Sequence, residues 1–325
     1  MARFRTELFL SPAPFQWGLA NPVLALGSCF AEVMGKQLSA HKLPVRINPF
    51  GTIFNPLSIG KLLEASLSNQ LPEGGWVERD GWWRHYDFHS RFTAPHREEV
   101  EAQISQALLN THQFLHRTDV LLLTFGTAWV YQLKATGAVV ANCHKVPAAH
   151  FEHHLLSINQ IAEAFESAYR ALKASRPTAQ VILTVSPVRH TRDTLPLNQV
   201  SKATLRLACH HLTERWPDVH YFPSYELMID DLRDYRFYQP DMIHPNEVAE
   251  TYIWEKLATY LDAPTRAFIA EWADVQKALA HRPFQPDTPA YRQFLEKTLC
   301  TLEKLSARAD VREEMEEVKK RMNVG

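Results

Sequence analysis

The sequence predicts a three-layer α/β/α sandwich: a central, mainly parallel sheet with helices on both faces, β-hairpin insertions and a C-terminal helical extension. Three observations carry this expectation. Short apolar runs rich in β-branched residues recur along the chain, stretches of helical period separate them, and the runs lack the polar alternation of a sheet with one wet face. Strands of that kind are buried on both sides, and in open α/β sheets the ligand site lies at their carboxyl ends.

In chain order, the expected strands are VLAL from Val23, DVLLLTF from Asp119, QVILTVS from Gln180 and VHYFPS from Val219. Residues 158–172 place Ile161, Phe165, Ala168 and Leu172 on one helical face, and residues 200–216 read as a second amphipathic helix. Residues 75–92, GWVERDGWWRHYDFHSRF, are aromatic-rich around the turn dipeptide Asp80-Gly81 and predict a β-hairpin. A second hairpin is expected from Trp129 through Thr136-Gly137 to Val146. Both insertions are placed to wall a substrate cleft.

After Leu261 the strands cease, which divides the chain into residues 1–262 and a helical extension, residues 263–325. A proline-rich break, RPFQPDTP at residues 282–289, leads into a narrow apolar stripe that includes Leu295, Leu302, Leu305, Val311 and Val318. The stripe suits either self-association into a homo-oligomer or packing against its own domain.

Composition narrows the function classes. The chain has 325 residues, 46% hydrophobic and 22% charged, as in ordinary globular proteins. Thirty-five Lys and Arg against 36 Asp and Glu leave no net field for nucleic acid or anionic lipid, so neither is expected as a partner. Glu7 and two prolines interrupt the N-terminal segment against a signal peptide, and no apolar run approaches the about 18 residues of a membrane span. Cys29, Cys143, Cys209 and Cys300 form no CxxC pair, which points to a reducing compartment and a cytoplasmic home. The histidine doublets His153-His154 and His210-His211 are expected on solvated surfaces.

Two segments can do chemistry. In LALGSCFAEVMGKQL a strand ends at Gly27-Ser28 and helical spacing starts at Phe30, Val33, Met34 and Leu38. A serine at such a turn has its hydroxyl at the mouth of the sheet and its N–H at a helix N-terminus, as a nucleophile beside an oxyanion site requires. It also suits a plain N-cap. Downstream, in YQPDMIHPNEVAETYIWEKL, Asp241 and His244 lie three apart ahead of a helix that Pro245 is suited to start. This spacing lets the carboxylate hold one ring nitrogen while the other takes a proton from the nucleophile. Alternatively, Asp241 caps backbone amides.

Gly27-Ser28-Cys29-Phe30-Ala31 spells the signature of the GSCFA domain family, and the chain resembles that branch of the SGNH/GDSL hydrolases. INPFGTIFNP at Ile47, TFGTAW at Thr124, NCHKVP at Asn142, TVSPVRH at Thr184 and the segment from Tyr221 to Pro245 are similar too, across residues 7–261. The resemblance implies an SGNH-type, flavodoxin-like fold and a serine-dependent esterase or acyltransferase. Its triad would be Ser28, His244 and Asp241, and Gly51 would donate an N–H to the oxyanion. The superfamily's third donor is an asparagine, where this chain has Ala128; Asn142 or the Thr127 hydroxyl is the replacement expected here.

Arg189, His190 and His144 are further pocket candidates. Cys29 is expected to turn inward as a small apolar filler. His144, His190 and His244 with Asp241 match no local metal motif, so neither metal nor organic cofactor is required. The expected substrate is a small-molecule or carbohydrate ester. Trp76, Trp82, Trp83 and Tyr86 would either stack on sugar rings or form the hairpin's own core. Two other readings stay open: a non-catalytic carbohydrate-binding or assembly module, and a metal-dependent hydrolase.

Overall fold

In the computed structural model, residues 5–11, 14–285 and 288–323 are described. The sheet comprises β1 (Val23–Gly27), β2 (Val45–Ile47), β5 (Val120–Phe125), β9 (Gln180–Val185) and β10 (Val219–Tyr221), ordered β10-β9-β5-β1-β2 and parallel throughout. Counted along the chain this is the doubly wound order 2-1-3-4-5, whose switch point lies between β1 and β5. The fold is the α/β/α sandwich that the apolar runs predict. β2 escapes them because it is three residues long and carries Arg46.

Successive side chains of a strand point to opposite faces, and the burial follows that alternation. Leu24, Leu26, Leu121, Leu123, Val181 and Leu183 face one layer. It consists of α2 (Pro56–Ser68), α3 (Arg97–Leu115), α4 (Ile158–Ser175) and α5 (Leu195–Arg215). Val23, Ala25, Val120, Leu122 and Ile182 face the other, formed by α1 (Cys29–Ala40) and α7 (Glu247–Ala258). Each fully buried aliphatic or aromatic side chain contributes about 1.5–3 kcal/mol of transfer free energy, so the two apolar faces account for the layered arrangement.

The first insertion is the expected hairpin of β3 (Trp76–Arg79) and β4 (Trp82–His85), antiparallel about Asp80 and Gly81, both at positive φ. The second pairs β6 (Trp129–Leu133) with β7 (Val139–Val140) and also with β8 (Phe151–Leu155), a polar FEHHL strand whose pattern hides it in the sequence. Tyr86 joins the two insertions, its carbonyl accepting the N–H groups of Ala141 and Asn142 at 3.0 Å. Trp76 and Trp83 pack against the main core. Trp76 meets His85 edge-on, Tyr86 lies between His144 and Phe151, and Trp82 is exposed, so most of this aromatic cluster serves the hairpin itself.

β10 leads through α6 (Ser224–Glu226) to a π-helical turn, Leu227–Asp231. Beyond the sandwich, α8 (Ala263–Ala280), α9 (Pro289–Leu305) and α10 (Arg312–Asn323) enclose a core of their own. The apolar stripe is spent there: Leu295, Leu302, Leu305, Val311 and Val318 are buried with Phe268, Trp272 and Val275. Pro286 and Asp287 of the proline-rich break lie outside the described residues. The extension rests on the end of α1, where the Trp272 indole donates to the Ala40 carbonyl at 2.7 Å and Lys42 pairs with Glu314 at 2.6 Å. No helix among the described residues is long and apolar enough to cross a membrane.

Candidate active site

The start of α1 after β1, Val188 after β9, the loop at residues 239–245 and Glu250 of α7 line a cavity of about 330 Å3. Cys29, Val33, Val188, Asp241, His244 and Glu250 are among its walls. A larger open cleft of about 1240 Å3 between the N-terminal segment and the 230–237 loop consumes its charges in pairs. Arg5 faces Asp231, Arg233 faces Asp230 and Arg236 faces Asp234.

The turn out of β1 requires glycine. Gly27 has φ +137°, and a Cβ on it would stand 2.1 Å from the Thr124 carbonyl oxygen of β5. The Asn48 side chain, past the end of β2, accepts the Gly27 N–H at 2.9 Å. Ser28 N–H donates to Thr124 O at 3.0 Å, and Ser28 then caps α1, its Oγ accepting the Phe30 N–H at 3.3 Å.

The structure sets Ser28 beneath the first turn of α1. Ser28 is 0% exposed and does not line the cavity; Cys29 does, half-buried. The reason is local. An N-cap hydroxyl must bend back to the N–H two residues on, while Phe30 and Ala31 take the inward positions of the first turn. Cys29 is therefore left on the rim and not inside as a filler. Burial pushes its thiol up from the ordinary value, opposed by Lys202 and by the Phe30 and Cys29 N–H groups at the helix start.

Asp241 and His244 do meet, with Asp241 Oδ2 2.7 Å from His244 Nδ1. Met242 at φ 58° turns the chain between them. Asp241 Oδ1 also accepts the N–H groups of His244 at 3.0 Å and Ile243 at 2.8 Å, so the carboxylate both shapes the loop and orients the ring. These bonds, the His244 N–H first, hold Asp241 down at about 2 although the pair is some 40% exposed, at 43% and 42%. Pro245 precedes the helix and does not begin it, because Asn246 caps α7 by accepting the Ala249 N–H at 3.1 Å.

Arg189 secures this loop. Its N–H donates to Ile243 O at 3.2 Å, its guanidinium to Met242 O at 3.3 Å, and it stacks 4.1 Å from the Tyr238 ring centre. It is absorbed as a brace. His190 packs edge-on against Phe54, and burial holds it down at about 3, aided by Lys202 and His244. His144 lies away from the cavity in the insertions, its Nε2 2.9 Å from the His85 carbonyl, and burial holds it at about 4.

Of the expected oxyanion donors, Gly51 has its N–H engaged, while Asn142 and Thr127 accept backbone N–H groups through their side-chain oxygens. Gly51 N–H closes a turn on Asn48 O at 2.8 Å. Asn142 Oδ1 accepts the His144 N–H at 2.9 Å, and the Thr127 hydroxyl bonds Ser201 and the Trp129 N–H. Ala128 is buried under α5, with its N–H on Ser201 Oγ at 2.8 Å.

Two groups escape the sequence reading. Glu250, on α7, faces the cavity, and burial raises its carboxyl first, then repulsion from Glu247. Lys202, on α5, is fully buried; the available signal is its spacing with Leu205, Cys209 and Leu212 on the apolar face of that helix.

The model of the GSCFA family matches residues 22–257, and that of the GSCFA domain protein, C-terminal domain, matches residues 272–324. No curated protein matches the sequence. Among solved structures, the chain is similar to a carbohydrate esterase family 3 from Talaromyces cellulolyticus. The identity is 9% and the TM-score 0.35, over 78% of this chain and 99% of that one.

Proposed function

The chain belongs to the GSCFA family, and on that premise we propose that it is an acyl-transfer hydrolase on an SGNH-like fold that departs from the serine chemistry of that class and cleaves small esters through Cys29. One observation carries the reading: Cys29, at the N-terminus of α1, shares a cavity past the carboxyl end of β1 with a hydrogen-bonded His244–Asp241 pair. A helix N-terminus favours a thiolate and a histidine in the same cavity can take its proton, which supports the reading against the burial that raises the Cys29 thiol.

The steps balance as follows. His244 takes the thiol proton, the sulfur bonds to the ester carbonyl carbon, and the tetrahedral oxyanion collapses with cleavage of the C–O bond. The alkoxide leaves with the proton from His244 as an alcohol. Water, giving a proton to His244, then attacks the thioester; the carboxylic acid departs and the proton returns to sulfur. Asp241 keeps Nδ1–H in place, so that Nε2 handles the proton in both halves. A hydroxyl in place of water gives acyl transfer.

Alkylation tests this reading. With p-nitrophenyl acetate as substrate and iodoacetamide as reagent, turnover should fall in step with modification of Cys29, followed by peptide mass spectrometry. Exposed Cys300 should react without loss. Burial pushes Cys143 up to about 11, and Cys209 is fully buried, so both should react slowly. Full modification of Cys29 with turnover intact would overturn the assignment.

A further inference from the structure

The apolar stripe that the sequence offers for self-association is buried inside the C-terminal extension. A second stripe is left uncovered on α5. α4 packs on α2, and α5 packs on α4, which makes α5 the outermost helix of its layer. Its inner face, with Leu205, Ala208, Cys209 and Leu212, fills the core, whereas Pro196, Val200, Ala203 and Leu207 face outward. Val200 is 45% and Leu207 54% exposed, and Leu195 and Leu197 widen the apolar surface at the start of the helix.

Single exposed apolar side chains are ordinary, but these are aligned. Pro196, Val200, Ala203 and Leu207 recur at intervals of four, three and four residues, the spacing of a seam that packs against another helix. The stripe also carries no free charge. From Thr194 to Cys209 the charged residues are Lys202, which is buried, and Arg206, which pairs with Glu226 at 2.8 Å. An uncharged centre with charged ends is the pattern of an interface core and its rim.

The ends identify the occupant. Arg192 and Glu214 are exposed, and Ala203 lies midway between them in sequence. Arg192 rests over the Tyr131 ring at 5.6 Å, and neither residue forms an ion pair among the described residues. Their neighbours are occupied: Asp193 faces His153 at 3.7 Å and Arg215 pairs with Glu166 at 2.8 Å. A parallel copy of α5 would set like charges together, whereas an antiparallel copy sets opposite ones together. We propose that the outer face of α5 is the two-fold interface of a homodimer, with its helices antiparallel about Ala203.

In that arrangement the small Ala203 side chain lets the helices approach. Val200 packs beside Leu207 of the partner subunit, and Arg192 meets Glu214 of the partner subunit. The platform is firm, because the inner face of α5 is tied to the loops after β5 and β9. Lys202 Nζ donates to Gly126 O and Ser186 O, and Ser201 and Asn198 accept the Ala128 and His190 N–H groups. One pair of helix faces is small, under about 1,200 Å2, so monomer and dimer are expected to exchange.

Sedimentation equilibrium of the full chain from about 5 to 500 μM tests this. The mass should rise with concentration from that of one chain towards that of two. Leu207→Glu puts a charge into the seam only on dimerisation. It should weaken association about tenfold or more and leave the melting temperature of the dilute protein near that of the wild type. Arg192→Glu and Glu214→Arg should each weaken the dimer severalfold, and the chain carrying both should recover, because the pair is exchanged and not lost. A wild type that stays monomeric throughout overturns the interface and leaves the face to a different protein. Association undiminished by Leu207→Glu would place the contact elsewhere, and charge reversals that add without recovery would overturn the antiparallel arrangement.

Discussion

Cys29→Ala is expected to lower ester turnover by about a thousandfold or more, because it removes the atom that bonds to the acyl carbon. Ser28→Ala should act in the opposite manner. Ser28 is buried and its hydroxyl serves the Phe30 N–H. Its loss should cost about 0.5–2 kcal/mol of stability, as for other N-caps, and spare turnover per folded molecule. Steady-state rates with p-nitrophenyl acetate and urea denaturation of both variants separate the two effects. If the serine variant were inactive and the cysteine variant active, the roles would have to be exchanged.

Asp241→Asn should lower kcat by about 10²- to 10⁴-fold with a smaller change in KM. An asparagine oxygen can still accept the Ile243 and His244 N–H groups, so the loop keeps its shape. Its NH2 would then face His244 Nδ1 and present a donor where Nδ1–H needs an acceptor, favouring the wrong tautomer and failing to stabilise the imidazolium. Held down at about 2, the wild-type carboxylate is ionised throughout the neutral range, so its own titration does not shape the pH profile there. Fully retained kcat in the variant would detach Asp241 from catalysis and leave it as a loop cap.

The fold was legible because its strongest signals are collective. Four of the five sheet strands are apolar runs flanked by helical period, and the first hairpin shows Asp80-Gly81 between aromatic segments. β2 and β8 were not, since one is three residues long and the other is polar and exists by pairing with β6. The Asp241/His244 contact was legible because three residues of chain bring the groups together. The nucleophile was harder. Adjacent residues at a helix start differ by about 100° in direction, and whether Ser28 or Cys29 meets the cavity depends on which one caps α1. Glu250 reaches the site only through tertiary packing of α7, and the carbonyls after β5 and β9 that bind buried Lys202 leave no trace in residue type.

Acid-quenched peptide mass spectrometry of the protein mixed briefly with p-nitrophenyl acetate tests the Cys29 thioester most directly. A single acetyl group on the peptide containing Cys29, removed by neutral hydroxylamine and absent from Cys29→Ala, is the predicted result. An acetyl group on Ser28, or turnover through Cys29→Ala at the wild-type rate, would contradict it.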